Sequence, residues 1–243
     1  MPIWLPSLKP ERFLLNNVIN TPLKNTAAII LAGGNSSRMN YPKAWLMINN
    51  TTFLESIINI YSKLGIHSIV VLNSVFTENQ WKPNLDSIKE KALIVKNYHP
   101  DKGRLYSLVL GLNELSTENA VFIHNVDQPL IELEVITQLY KNFEPNGITL
   151  PTVNGKNGHP VLIGAPIINE IKNHYNQYQT LKDVWKFFPK KKVEVNSDNV
   201  LININTIEEY KSLPNPSEGG ACVANSTRCR DHLSITKMND KLL

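Results

Sequence analysis

Short runs of consecutive apolar residues recur through the first half of the chain, and longer stretches with helical spacing separate them. The runs are 27–31 (AAIIL), 68–72 (SIVVL), 92–95 (ALIV) and 120–124 (AVFIH). Four or five β-rich residues in a row, without polar alternation, suit a strand covered on both faces. After the first run, Thr52 and Glu55 form a T-x-x-E capping box. Apolar residues then recur at Phe53, Ile57, Ile58 and Tyr61, and Gly65 stops the helix. Residues 105–116 and 131–143 are predicted as the next two helices. Strands alternating with helices require crossover connections, and so predict an α/β fold with a mainly parallel central sheet between two helical layers.

Beyond Phe143 the rhythm changes. GITLPTV and GHPVLIG read as a strand pair joined by the turn-rich NGKNG, followed by a helix around 180–188 and a strand at 200–204. The domain is predicted to span residues 27–213. Residues 1–26 form a proline-broken arm, and residues 214–243 a polar tail without period, expected to be disordered.

Composition narrows the picture. A chain of 243 residues, 42% of them apolar, can bury a large core. No apolar stretch approaches the roughly 18 residues of a membrane span, and the N-terminus lacks the order of a secretory signal. The two cysteines, Cys222 and Cys229, fall in the tail, so a reducing, cytoplasmic setting is the expectation. A net charge of +4 suits small anions but is too weak to predict nucleic-acid binding. The histidines show no zinc spacing. PKKKVEV, 189–195, reads as a solvated strand edge guarded by lysines.

The chemistry gathers in two places. LAGGNSSRMNYPKAW, 31–45, directly follows the first strand. Gly33 and Gly34 allow backbone N–H groups to approach an anion, Ser36 and Ser37 add hydroxyls, and Arg38 and Lys43 add two positive charges suited to a polyphosphate. The spacing is neither that of a P-loop nor that of a dinucleotide-binding fingerprint; a plain glycine turn with a solvated basic rim is the alternative. In VFIHNVDQPL, 121–130, an apolar strand ends in the single acid Asp127. A carboxylate there can ligate Mg²⁺ that bridges to phosphates, or can simply cap a helix.

These segments resemble a known family. LAGGNSSRM…PK is similar to the signature of the MobA-like NTP transferases; VDQP, NYHPDKGRLYSLVLGL (97–112) and GKNGHPVLI (155–163) resemble further blocks of the branch containing molybdenum cofactor cytidylyltransferases. The resemblance implies a Rossmann-like three-layer αβα fold and transfer of NMP from an NTP to a phosphorylated acceptor, releasing pyrophosphate. By resemblance, Leu31, Ala32, Gly33 and Gly34 line the base and phosphates, while Arg38 and Lys43 hold the triphosphate. Asn97 and Ser107 match positions near base and ribose, Asp127 the metal-binding aspartate, and His159 an acceptor-facing position. The second Mg²⁺ ligand is expected from LININT, 201–206, at Asn203 in preference to Asn205. This chain departs from the family pattern there, with amides in place of carboxylates as in the guanylyl branch, and at Asn40, where glycine is usual.

The resemblance thus implies a nucleotidyltransferase using CTP ahead of GTP, with molybdopterin as the first-choice acceptor and neither nucleic acid nor membrane as partner. Two alternatives stay open: the same chemistry on a sugar, polyol or aminoalkyl phosphate, and a nucleotide-binding module without catalysis. His159 can equally be a strand-start histidine satisfied by carbonyls, and His124 is expected to bond locally. Nothing in the pattern sets an oligomeric state.

Overall fold

A computed structural model describes residues 25–39 and 41–213. The expectations for the arm, the tail with its cysteines, and Asn40 lie outside the described residues. Strand β1 (Thr26–Ala32) leads through two 3₁₀ turns to a small hairpin, β2 (Met47–Ile48) and β3 (Thr51–Thr52), and then to α1 (Phe53–Lys63). Strand β4 (His67–Asn73), α2 (Lys82–Ile88), β5 (Ala92–Asn97), α3 (Gly103–Leu112), β6 (Ala120–Asn125) and α4 (Leu133–Lys141) continue the alternation. The second part contains β7 (Ile148–Val153), β8 (Lys156–Asn157), β9 (Val161–Gly164), α5 (Ala165–His174), the single turn α6 (Leu181–Val184), β10 (Lys190–Glu194) and α7 (Ile207–Lys211).

Three of the predicted strands, β1, β4 and β6, are buried from both sides, whereas β5 is the sheet edge and leaves Leu93 exposed. β1 is buried along its whole length. Ala28, Ile30 and Ala32 face one layer, with α1 and Val135, Ile136 and Leu139 of α4. Ala27, Ile29 and Leu31 face the other, with Leu105, Leu108 and Leu112 of α3 and Ile167 and Ile171 of α5. Burying each large side chain contributes about 1.5–3 kcal/mol, so the two apolar layers dominate stability. At the start of α1 the capping box is formed: Thr52 Oγ1 accepts from Glu55 N at 3.1 Å, and Thr52 N donates to Glu55 Oε2 at 2.8 Å.

The eight-stranded sheet runs β10–β7–β9–β6–β1–β4–β5, with β8 paired to β7. β6, β1, β4 and β5 are parallel neighbours, and β9 runs antiparallel between β6 and β7. The registers Leu31↔Asn125 and Asn73↔Asn97 bring the carboxyl ends of the four parallel strands to one edge. In open α/β sheets, loops at that edge form ligand sites.

Several details differ from the sequence reading. The 200–204 segment is no strand: Asp198–Leu201 is a 3₁₀ turn, and the residues that follow join no ladder. The alternation of LININT reflects an extended strap tied to a loop by Ile204 N donating to Asp127 O, while Val200 O in the turn before it accepts from His159 N. The helix expected around 180–188 is α6 followed by a 3₁₀ turn, Trp185–Phe187. PKKKVEV carries β10, an edge strand with only Val193 buried.

Two packing features hold the site-bearing elements. Gly111 of α3 lies flat on the sheet: a Cβ there would sit 2.7 Å from Ile29 Cγ2 and 3.1 Å from Val71 Cγ2. His124 of β6 is fully buried, its Nδ1 3.0 Å from Tyr61 Oη and its Nε2 2.9 Å from Gln128 O. It thereby ties α1 to β6 and to the turn that carries Asp127. This is the local bonding expected of His124.

Gly111→Leu overfills the α3–sheet contact and is expected to cost about 1–3 kcal/mol, read as a lower urea midpoint. Burial lowers the His124 pKa to about 4, so the unfolded chain takes up this proton first as pH falls. The stability that depends on neutral His124 is complete above about pH 6.5 and is lost progressively toward pH 4, by on the order of 3 kcal/mol. Unfolding curves at both pH values should show a steeper loss for the native chain than for His124→Gln; equal losses would contradict this role.

Candidate functional site

The loops from β1, β4, β5 and β6 enclose a cleft of about 200 Å³ at the carboxyl edge of the sheet. Its floor is the glycine loop. Gly33 is glycine because of close approach: a Cβ would stand 2.9 Å from both Asn97 Nδ2 and Ser107 Oγ. Those two atoms bond each other at 3.1 Å, and Asn97 Oδ1 accepts from His99 N at 2.8 Å. Asn97 is therefore wholly buried beneath the loop, as its support. Gly34 meets no atom within 4 Å of an added Cβ and leaves the loop open toward the cleft. Ser36 adopts a left-handed φ of 52°, and its Oγ accepts from Lys43 N at 3.2 Å, which closes the loop on itself.

Four side chains from three separate parts of the chain converge beside this floor. Lys43 Nζ donates to Asn205 Oδ1 at 2.7 Å and lies 3.7 Å from Asp127 Oδ2. Arg38 Nη2 donates to the same Asn205 oxygen at 3.3 Å. Asp127 sits just past β6, and its Oδ1 is buried without a partner. Asn205 is set by the capping box of α7, in which Glu209 Oε2 accepts from the N–H groups of Asn205 and Thr206. Partial burial lowers the Lys43 pKa; nearby Arg38 adds to this, while Asp127 and Glu209 oppose it. An ammonium already short of water binds anions strongly.

The sequence-predicted residues divide as follows. Leu31, Ala32, Gly33, Gly34, Ser36, Lys43, Ser107 and Asp127 line the cleft. Ser37 and Arg38 lie at its exposed rim. Asn203 Oδ1 accepts from Gln128 Nε2 at 2.9 Å, so Asn205, not Asn203, is the amide held against the cations. His159 is mostly buried, with Nδ1 unpartnered; burial lowers its pKa, nearby Arg104 lowers it further, and Asp127 opposes both.

Arg104 and Phe76, which the sequence reading did not single out, also line the cleft. Arg104 stands in the first turn of α3 and is exposed. The cleft thus has two walls. The segment with Lys43 packs through Ala44, Trp45 and Leu46 on the α1 layer. Arg104 lines the cleft next in sequence to Leu105, which packs in the opposite layer; His159 is not among the lining residues.

For a divalent metal, the donor set is oxygen only: the orphan carboxylate oxygen of Asp127 and the amide oxygens at 203 and 205. Among the described residues, no group of three or more His, Cys, Asp or Glu side chains could hold a metal. One carboxylate and amides, completed by substrate phosphates and water, fit a hard cation such as Mg²⁺. No helix of the described residues is long and apolar enough to cross a membrane.

The model of the MobA-like NTP transferase domain matches residues 28–195. Rv0371c from Mycobacterium tuberculosis H37Rv is similar in structure, with a TM-score of 0.63 and 18% identity over 76% of this chain and 95% of that one. That protein is also known in complex with manganese. The 4-diphosphocytidyl-2C-methyl-D-erythritol synthase of Anaerococcus prevotii gives a TM-score of 0.61 at 16% identity, over 76% of this chain and 92% of that one. Molybdopterin-guanine dinucleotide biosynthesis protein A of Archaeoglobus fulgidus gives 0.58 at 17% identity, over 76% and 95%. At such identities the structural likeness establishes the fold. The matched domain contains the glycine loop, Lys43 and Asp127 and covers well over half of the sequence: the chain belongs to the MobA-like NTP transferase family and is a nucleotidyltransferase with a three-layer α/β fold.

Proposed function

We propose that the protein transfers a nucleoside monophosphate from an NTP, CTP ahead of GTP, to a phosphorylated small-molecule acceptor with release of pyrophosphate, and that molybdopterin is the first acceptor to test. The observation that carries this reading is the convergence of Arg38, Lys43 and Asp127 on one side of a glycine floor. The structural relatives include proteins named for two different acceptors, molybdopterin and methylerythritol compounds. The acceptor assignment therefore rests on the sequence blocks alone, and a sugar, polyol or aminoalkyl phosphate is the second reading.

An acceptor phosphate oxygen attacks the α-phosphorus, the bond to the bridging oxygen breaks, and pyrophosphate leaves. In-line geometry requires the nucleophile and leaving group on opposite sides of phosphorus. Arg38 and Lys43 neutralise the departing pyrophosphate on the α1 side. Arg104, on the α3 side, and nearby His159 receive the acceptor's phosphate. A phosphate nucleophile is already ionised at neutral pH, so no side chain needs to remove a proton. Positioning and fixed charge therefore carry the catalysis. In our reading Leu31, Ala32, Gly33 and Gly34 line the nucleotide, with Ser36, Ser37 and Ser107 as hydroxyl donors. Asn97 contributes through the loop it supports. Asp127 would hold Mg²⁺ through its unpaired oxygen. We assign the second ligand to Asn205 in place of Asn203, because its oxygen already shares a cation with the Asp127 carboxylate. When bound, the ion supplies positive charge against the α-phosphate oxygens.

Lys43→Ala and Asp127→Ala are each expected to lower turnover on the order of 10²–10³-fold, measured as pyrophosphate release with the responsive substrate pair. Near-normal release from either variant would refute these roles. That pair is found by crossing the four ribonucleoside triphosphates with molybdopterin and a panel of small phosphomonoesters in the presence of Mg²⁺ or Mn²⁺. Nucleotide binding with no release from any pair would instead mark a non-catalytic module.

A further inference from the structure

Among the described residues that line the cleft, Phe76 is the aromatic one. It lies in the 3₁₀ turn Ser74–Thr77 that follows β4. Asn73 ties this turn to the glycine loop: its Oδ1 accepts from Val75 N at 3.2 Å, and its Nδ2 donates to Asn35 Oδ1 at 3.0 Å. The ring stands edge-on to Trp81, with centroids 6.5 Å apart and planes at 83°. Trp81 in turn stacks on Trp45 at 6.4 Å and meets Tyr41 edge-on at 5.6 Å. Phe76 is thus half-buried against a fixed aromatic scaffold and lines the cleft from there.

Its place along the sheet edge indicates what it meets. The charged groups Asp127 and Lys43, with the Asn205 amide that accepts from Lys43, gather at the β6 end. Phe76 and Pro100 follow β4 and β5, beyond β1, at a cleft end with no acid among its lining residues. A nucleotide with its phosphates at the β6 end extends its apolar, planar part toward Phe76. We propose that Phe76 is the stacking surface for the nucleobase. This deepens the nucleotidyltransferase reading and rests on it. Every base has a π-face, so stacking raises affinity for all four ribonucleotides and leaves the choice among them to groups that reach the base edge.

Calorimetry on the full chain with Mg²⁺ tests this, comparing each NTP with inorganic tripolyphosphate, which has phosphates but no base. Phe76→Ala, and Phe76→Leu as the variant that keeps apolar bulk, should weaken every NTP by about 5- to 150-fold while tripolyphosphate changes less than about twofold. Phe76→Trp should restore NTP affinity. Unchanged NTP affinity in Phe76→Leu, or parallel loss of tripolyphosphate, would overturn the stacking role alone. No NTP binding by the native chain would overturn the nucleotidyltransferase reading as well.

Discussion

A single carboxylate at the end of β6 organises the carboxyl edge of this protein. Asp127 draws the Lys43 ammonium inward to 3.7 Å, and its backbone carbonyl accepts the N–H of Ile204 from the far end of the domain. Two segments remote in sequence are thereby pinned beside the glycine loop. Because the acid and the lysine are both largely buried, their attraction is little screened by solvent. The capping box of α7 completes the arrangement by fixing the backbone of Asn205, whose side chain then collects both Lys43 and Arg38. A helix-capping device, ordinarily a matter of local stability, here fixes the amide that holds Lys43 and Arg38 at the cleft.

Beneath these charges the fold provides a rigid base. β1 lies at the centre of the parallel strands and is buried throughout, so the loop that follows it starts from a fixed point. The Asn97–Ser107 bond presses directly under Gly33 and joins the end of β5 to α3. The α3 helix is in turn seated on β1 and β4 through Gly111. Apolar layers above and below the sheet thus fix where polar atoms stand at its edge. Preorganisation of this kind lets a site act on phosphorus without reorganising during the reaction.

Much of this was legible in the chain. The central strands announce themselves because two-sided burial demands unbroken apolar runs, and α1 because its cap and its stop residue are both explicit. Asp127 stood out because it lies two residues past a recognisable strand end, and Lys43 because it closes the glycine-rich segment that follows β1. Other features were hidden for physical reasons. The strap at 202–205 imitates strand alternation, although the bond that ties it, from Ile204 N, goes to a loop. Helix α5 begins directly after β9, so VLIGAPII reads as one apolar run with only Pro166 to mark the change. The T-x-x-E box at Thr206 and Glu209 repeats the signal at Thr52 and was available to find α7. Arg104 lies within the recognised 97–112 block but has no feature that singles it out there, and Phe76 lies in no recognised block. They become site residues only when the crossover connections bring α3 and the turn after β4 to the same edge.

The choice of amides at 203 and 205 has an electrostatic consequence. Arg38, Lys43 and Arg104 set three positive charges at this edge against the two carboxylates of Asp127 and Glu209. The protein therefore carries surplus positive potential at one edge of an otherwise mildly charged surface. A potential of this kind extends into solvent over roughly a Debye length, so its pull on an approaching anion weakens as ionic strength rises.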